Sequence, residues 1–214
     1  MNLLEKDAFA ALLESGCTVI DTRNTELFGM GFIEGAVSVP FGENFVNKLN
    51  DLLADDTNVA FVVGAEEFPA VFKAVKAAGI NNVKGYYSGD YETWQAEGLP
   101  LDVLIVIDAE EFAADYRFDE FYLIDIRPKA EYSLEHAEDS ENIALNDLEQ
   151  YLVDLETGES YYLYSSNAED AVTAGSLFKK TGFQRVRAVA ADLETIKQAG
   201  IPWYVPKKKS GADK

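Results

Sequence analysis

At 214 residues the chain is long enough for one or two domains and a sizeable buried core, and hydrophobic and charged fractions of 48% and 26% exclude wholesale disorder and fibrous repeats. A formal net charge of −20 repels phosphate backbones and anionic lipid, so neither nucleic acid nor membrane is an expected partner. With one cysteine, Cys17, and one histidine, His136, intramolecular disulfides, cysteine-based zinc clusters and multi-histidine metal sites drop out, and no metal or cofactor is expected.

In chain order, Phe9, Leu12 and Leu13 mark a short helix, Thr18 to Asp21 a strand, and Phe45, Leu49, Leu52 and Leu53 a second helix. Asn58 to Val63 reads as a buried strand, Ala70 to Ala78 as a helix closed by Gly79, and Val83 to Tyr87 as a strand before a helix around Trp94. Leu101 to Ile107 forms a junction. Beyond it Tyr122 to Asp125, Tyr161 to Tyr164 and Arg185 to Val189 read as strands of a second set. Strands alternating with helices make parallel α/β units with crossover connections. No apolar run approaches the ~18 residues of a membrane span. The early Glu5, Lys6 and Asp7 leave no signal-peptide core, so a cytoplasmic protein is expected.

The chain also repeats itself. Val19-Ile20-Asp21-Thr22-Arg23 is echoed by Leu123-Ile124-Asp125-Ile126-Arg127, and at the same spacing the segment from Gly31 to Pro40 lies over that from Glu135 to Ala144. Asp90-Tyr91-Glu92-Thr93 with Gly98-Leu99-Pro100 recurs as Asp192-Leu193-Glu194-Thr195 with Gly200-Ile201-Pro202, at a slightly shorter spacing that places loop deletions between fixed elements. A period of about 100 residues is too long for a solenoid and has the size of a domain. The expectation is a duplicated fold over 1–103 and 104–206, closely packed because no Gly/Ser-rich linker intervenes, with a disordered polar tail over 207–214.

Three motifs then occur in order: Asp21-Thr22-Arg23 after the first strand, Gly31-Phe32-Ile33-Glu34-Gly35-Ala36 leading to Pro40, and Ser88-Gly89-Asp90-Tyr91-Glu92-Thr93-Trp94 ending at Gly98-Leu99-Pro100. Together they resemble the rhodanese family. Its pattern has Asp-x-Arg after a central strand, Gly-His-Ile-x-Gly-Ala running to a proline, a strand entering a loop that begins with the catalytic cysteine, and a closing Gly-Gly-x-x-x-Trp. The resemblance spans nearly the whole chain twice, the second copy keeping Asp125-Ile126-Arg127, His136 and the Pro202 ending. It implies an α/β fold of two tandem rhodanese-like domains, each a small, mainly parallel sheet flanked by helices. Phe32 in place of the family's histidine is also similar to the tandem rhodanese region that follows a metallo-β-lactamase-like domain in persulfide dioxygenase-type fusions. That likeness implies a metallohydrolase partner, fused or separate.

Sulfur transfer of the rhodanese kind needs a thiolate at the strand end to attack and then carry sulfane sulfur as a persulfide. The loop around it supplies backbone N–H groups, a helix N-terminus and usually a basic side chain. In the first copy Ala60-Phe61-Val62-Val63 runs into Gly64, which takes the nucleophile position; in the second Tyr162-Leu163-Tyr164 runs into Ser165, a weak nucleophile with no obvious base. The loops Gly64-Ala65-Glu66-Glu67-Phe68-Pro69 and Ser165-Ser166-Asn167-Ala168-Glu169-Asp170 contain acids and no Lys or Arg. At ~4 Å and an effective dielectric of ~20 a like-charge contact costs about 4 kcal/mol. A helix terminus returns ~0.3–1 kcal/mol. Neither loop is expected to hold thiosulfate, phosphate or arsenate, and the acids equally suit a helix's first turn.

Asp21, Arg23, Asp125 and Arg127 read as buried structural pairs that hold the framework. Cys17, without an adjacent basic residue, reads as an inert, partly buried thiol. His136 suits packing or hydrogen bonding, and Tyr86, Tyr87, Tyr161, Tyr162 and Tyr164 suit core and sheet packing. The sum is a sulfurtransferase homologue that has lost its chemistry and serves as an interaction or regulatory module. Two alternatives stay open: an enzyme with chemistry displaced to Cys17 or Ser165 in a pocket between the copies, and a small-anion or metabolite binder at the loop crevice.

Overall fold

The computed structural model describes residues 2–64, 66–118 and 120–206, so Ala65 and the tail expected over 207–214 lie outside the described residues. The first copy comprises α1 (Lys6–Glu14), β1 (Thr18–Asp21), α2 (Thr25–Met30), β2 (Phe32–Ile33), β3 (Val37–Ser38), α3 (Phe45–Leu52), β4 (Val59–Val62), α4 (Phe68–Ala77), β5 (Val83–Tyr87), α5 (Tyr91–Glu97) and β6 (Leu101–Asp102). The second follows as β7 (Ile105–Ile107), α6 (Ala109–Asp115), β8 (Tyr122–Asp125), α7 (Lys129–Tyr132), β9 (His136–Ala137), β10 (Ser140–Asn142), α8 (Leu148–Tyr151), β11 (Tyr161–Tyr164), α9 (Ala168–Lys180), β12 (Val186–Val189), α10 (Leu193–Gln198) and β13 (Trp203–Tyr204). Asn24, Asp90, Asp108, Asn167 and Asp192 cap the helices after them by accepting a first-turn N–H. The helix expected from Ala70 starts earlier, at Phe68, because Pro69 fits the first turn, where its missing N–H costs nothing.

Both sheets are parallel, in the orders β3-β1-β4-β5 and β10-β8-β11-β12-β7. The place that β7 takes in the second sheet is marked in the first by a single parallel bridge from Leu3 to Tyr86. Antiparallel ribbons, β2 with β6 and β9 with β13, tie the closing segment of each copy back to its body. The fold is the expected duplicated α/β architecture, with near-continuous apolar strands because helices cover the sheet faces.

The two copies share one core. A single cluster of buried side chains runs from Phe9, Ile20 and Phe61 through Leu104 to Ile124, Leu163 and Phe178, while a smaller one around Phe112, Tyr164 and Ile196 fills the far face of the second sheet. The joining element is α9, buried continuously from Ala171 to Lys179. It packs on its own sheet and also covers the edge strand β3, where Ser176 Oγ accepts the Ser38 N–H at 3.0 Å and Thr173 Oγ1 donates to the Ser38 carbonyl at 2.8 Å. The edge is thereby satisfied rather than left to solvent. A Cβ on Gly175 would stand 2.7 Å from Leu104 Cδ2, so a larger residue there displaces the buried Leu104 side chain.

Candidate functional site

In each copy the Asp-x-Arg motif leaves its strand as a folded clamp. Arg23 Nε lies 3.0 and 3.1 Å from the two carboxylate oxygens of Asp21, its Nη2 donates to Asp21 Oδ2 at 2.7 Å, and Nη2 also reaches the Gly31 carbonyl at 2.9 Å. Arg127 repeats this on Asp125, with Nε at 3.0 and 3.1 Å and Nη2 at 2.8 Å from the Glu135 carbonyl. All four side chains are buried. The geometry is the fork pairing for which a guanidinium is suited. Each arginine pins the start of the next loop to the carboxyl end of its strand. The copies differ in what covers the clamp: the Arg23 guanidinium lies over the Trp94 ring at 4.5 Å, whereas Tyr164 donates its hydroxyl to Asp125 Oδ2 at 2.6 Å and accepts the Ala137 N–H at 3.0 Å. Burial first and the Asp125 charge second push the Tyr164 phenol well above its ordinary value.

The strand registers correct one assignment. Asp21 pairs with Val62 and Asp125 with Tyr164, so Val63 stands in the place of Ser165, and Gly64 answers to Ser166. Sequence spacing missed this because the loops differ in length: four residues separate Val63 from α4, whereas two separate Ser165 from α9. Val63 and Ser165 are 1% and 2% exposed. Gly64 is half-buried, and a Cβ there would lie 3.3 Å from Glu67 Oε2, with Glu66 exposed beside it. Asn167 is the N-cap of α9, accepting the Asp170 N–H at 2.9 Å and donating to its carboxylate at 2.8 Å, and Ser166 is exposed.

A second correction concerns charge. Lys48, from α3 of the first copy, bridges Glu169 Oε2 at 3.0 Å and Asp170 Oδ1 at 2.8 Å with its own side chain 11% exposed. Lys48 therefore offsets one of the two charges of these acids across the join, which lessens the repulsion of an anion there and leaves one negative charge. Lys48, Asn44 and Asn47 face Arg127, Lys129 and Ser165 across an open pocket of about 620 Å³ whose lining also carries Asp51, Glu131, Asp147 and Asp170, at the carboxyl ends of the strands, where such folds hold ligands. The signal for Lys48 lay in the sequence: it shares a helix face with Phe45 and Leu49, and a cation on an apolar stripe needs a buried partner.

Cys17 precedes β1, its Sγ 3.3 Å from the Asn58 carbonyl, and so sits at the amino end of the first sheet. About 13 Å of strand separates it from the loops. Burial raises the thiol pKa; Lys84 is near enough to oppose this, a basic neighbour that sequence adjacency missed, but burial outweighs it. His136 stacks on Tyr132 with centroids 3.8 Å apart and its Nδ1 lies 2.8 Å from the Tyr132 carbonyl. Among the described residues, no three His, Cys, Asp or Glu side chains are grouped to hold a metal ion.

The Rhodanese-like domain family model matches residues 5–97 and again residues 108–199. No curated protein matches the chain. Among solved structures, a rhodanese-like domain from Anabaena sp. is similar at 23% identity and a TM-score of 0.44, over 50% of this chain and 86% of that one. A rhodanese-related protein from Thermoplasma volcanium is similar at 17% identity and 0.43, over 48% and 99%. The thiosulfate sulfurtransferase from Pseudomonas aeruginosa is similar at 14% identity and 0.41, over 96% of this chain and 44% of that one.

Proposed function

Since the chain belongs to the rhodanese-like domain family, in two tandem copies, we propose that it is a non-catalytic member acting as an interaction or regulatory module. One observation carries this reading: the strand ends where sulfur chemistry needs a thiolate present Val63 and Ser165, and the sole cysteine lies at the opposite end of the first sheet. The preserved Asp–Arg clamps support a role for the scaffold itself, because they maintain the loop geometry without a reacting atom in it. The Phe32 likeness to fusions with metallo-β-lactamase-like domains supports a metallohydrolase as partner. A cytoplasmic location belongs to the same proposal; among the described residues no helix is long and apolar enough to cross a membrane.

The test is transfer of sulfur from thiosulfate to cyanide by the purified chain. The expected rate equals that of a Cys17→Ala control. Gly64→Cys stays equally inactive, because the new thiol stands one residue beyond the strand end that Val63 occupies and enters beside the Glu67 carboxylate. Turnover above the control by the unmodified chain overturns the reading. A second reading, ligand binding in the pocket between the copies, is favoured by Lys48, which offsets one of the two charges of Glu169 and Asp170. Thermal stabilisation by sulfate, thiosulfate or a nucleotide that disappears in Lys48→Met would support it.

A further inference from the structure

The join between the copies is one-directional. Helix α9 of the second copy sits on edge strand β3 of the first, but the corresponding helix of the first copy, α4, makes no comparable contact with the corresponding edge strand of the second, β10. A two-fold arrangement would have used both pairs; this one leaves a helix face at one end of the molecule and a sheet edge at the other.

Those two free surfaces are complementary in charge and shape. On α4, Phe72 is 38% exposed and stacks on Phe68 with centroids 5.9 Å apart, Phe68 in turn stacks on Tyr86 at 3.9 Å, and the exposed Lys73 and Lys76 flank this aromatic ridge. It is a basic, apolar face on a chain of net charge −20. Beside β10 lies a groove of about 310 Å³ floored by Phe121, Leu155 and the 53% exposed Tyr122, which stacks on Tyr161. Its rim carries Asp139, Glu141, Asp154, Glu156 and Glu159. Among the described residues, neither the two lysines nor these five carboxylates form a salt bridge within the chain.

We propose that the α4 face of one molecule docks in the β10 groove of a second copy of this chain, giving a head-to-tail contact. The inference goes beyond the non-catalytic reading and does not depend on it. The contact does not reproduce the internal join. Counting back from the glycines that follow the two helices, Gly79 and Gly182, Phe72 stands where α9 has Gly175, and Lys73 where it has Ser176. A bulky ring and a cation replace two small residues of α9, of which Ser176 bonds to β3, while Lys76 stands where α9 has Lys179. The outcome is an aromatic anchor in a groove with a ring of ion pairs, reversible and sensitive to salt. Because the surfaces are different and lie on different copies of the fold, the association extends from dimer to higher species as concentration rises.

Sedimentation velocity of the full chain over a concentration series tests this. The expected result is a weight-average mass that climbs with concentration at low salt and falls back toward the monomer at about 0.5 M salt. The double variants Lys73→Glu/Lys76→Glu and Glu141→Lys/Glu159→Lys, all at exposed positions, each lower the association constant by at least about tenfold while leaving circular dichroism unchanged. Mixing the two variants restores association, since the unaltered lysine face of one then meets the unaltered acidic groove of the other. A monomer at every concentration and salt, association that survives both charge reversals, or no recovery in the mixture overturns the proposal.

Discussion

Replacing Lys48 with methionine tests whether the second loop is held by the first copy. Methionine keeps most of the apolar stem and deletes the charge. With Nζ at 3.0 Å from Glu169 and 2.8 Å from Asp170, the gross attraction at an effective dielectric of ~20 is about 5–6 kcal/mol for each pair. Desolvating the lysine offsets much of it, and Glu169, with its side chain 46% exposed, is screened by water. Exposed pairs contribute ~0.2–1 kcal/mol and broken buried pairs cost ~3–5 kcal/mol, so this mixed case loses about 2 kcal/mol. For a cooperative unit of this size that lowers Tm by about 4–8 °C. Adding Glu169→Gln and Asp170→Asn to the methionine variant removes the stranded carboxylates and should recover at least half of the loss. Urea unfolding of the four proteins in that cycle supplies the numbers. A loss under about 0.5 kcal/mol, or no recovery in the combined variant, refutes the claim that Lys48 locks the loop.

Tyr164→Phe removes a hydrogen bond to a buried carboxylate and orphans the Ala137 N–H, and should cost about 2–4 kcal/mol by urea titration. Because the Tyr164 phenol is held above its ordinary value of 10.0, the unfolded chain ionises first as pH rises. Stability that is complete below about pH 10 is then lost above it, with a shallower decline in Tyr164→Phe. An equal decline in both proteins contradicts the assignment. Cys17, whose thiol pKa burial raises, should react slowly with a neutral-pH thiol reagent in the native state and rapidly in denaturant; equal rates would show the thiol to be accessible, and a faster native rate would show it to be activated.

Strand positions and the Asp-x-Arg clamps were legible in the sequence because their causes are local: apolar strands of four residues at β1, β4, β8 and β11, and a guanidinium two residues from its carboxylate. The second copy's departures from the family pattern were also visible, but not what replaces the lost parts. Where Trp94 covers the first clamp, Tyr164 serves in the second by reaching Asp125 from the neighbouring strand, a cross-strand relation that no linear spacing displays. The off-by-one at Gly64 arose from loops of unequal length, which only the ladder registers resolve. Lys48 escaped for the same kind of reason: its partner Glu169 lies 121 residues on, in the other copy. For α9, a helix rich in Ala, Thr, Gly and Ser reads as weakly amphipathic, and its small side chains become intelligible only once a second sheet is seen against them.

The dependence of β3 on α9 bears on how the chain is made. Ser38 and the Ser176 hydroxyl that satisfies it are 138 residues apart. At about 5–20 residues per second a ribosome takes on the order of 7–30 s to cover that distance. Throughout this interval the nascent amino-terminal half displays a bare strand edge that no later part of that half can shield. A chaperone that binds extended segments would find its opening then, and a ribosome stalled between the copies would release a fragment prone to aggregate.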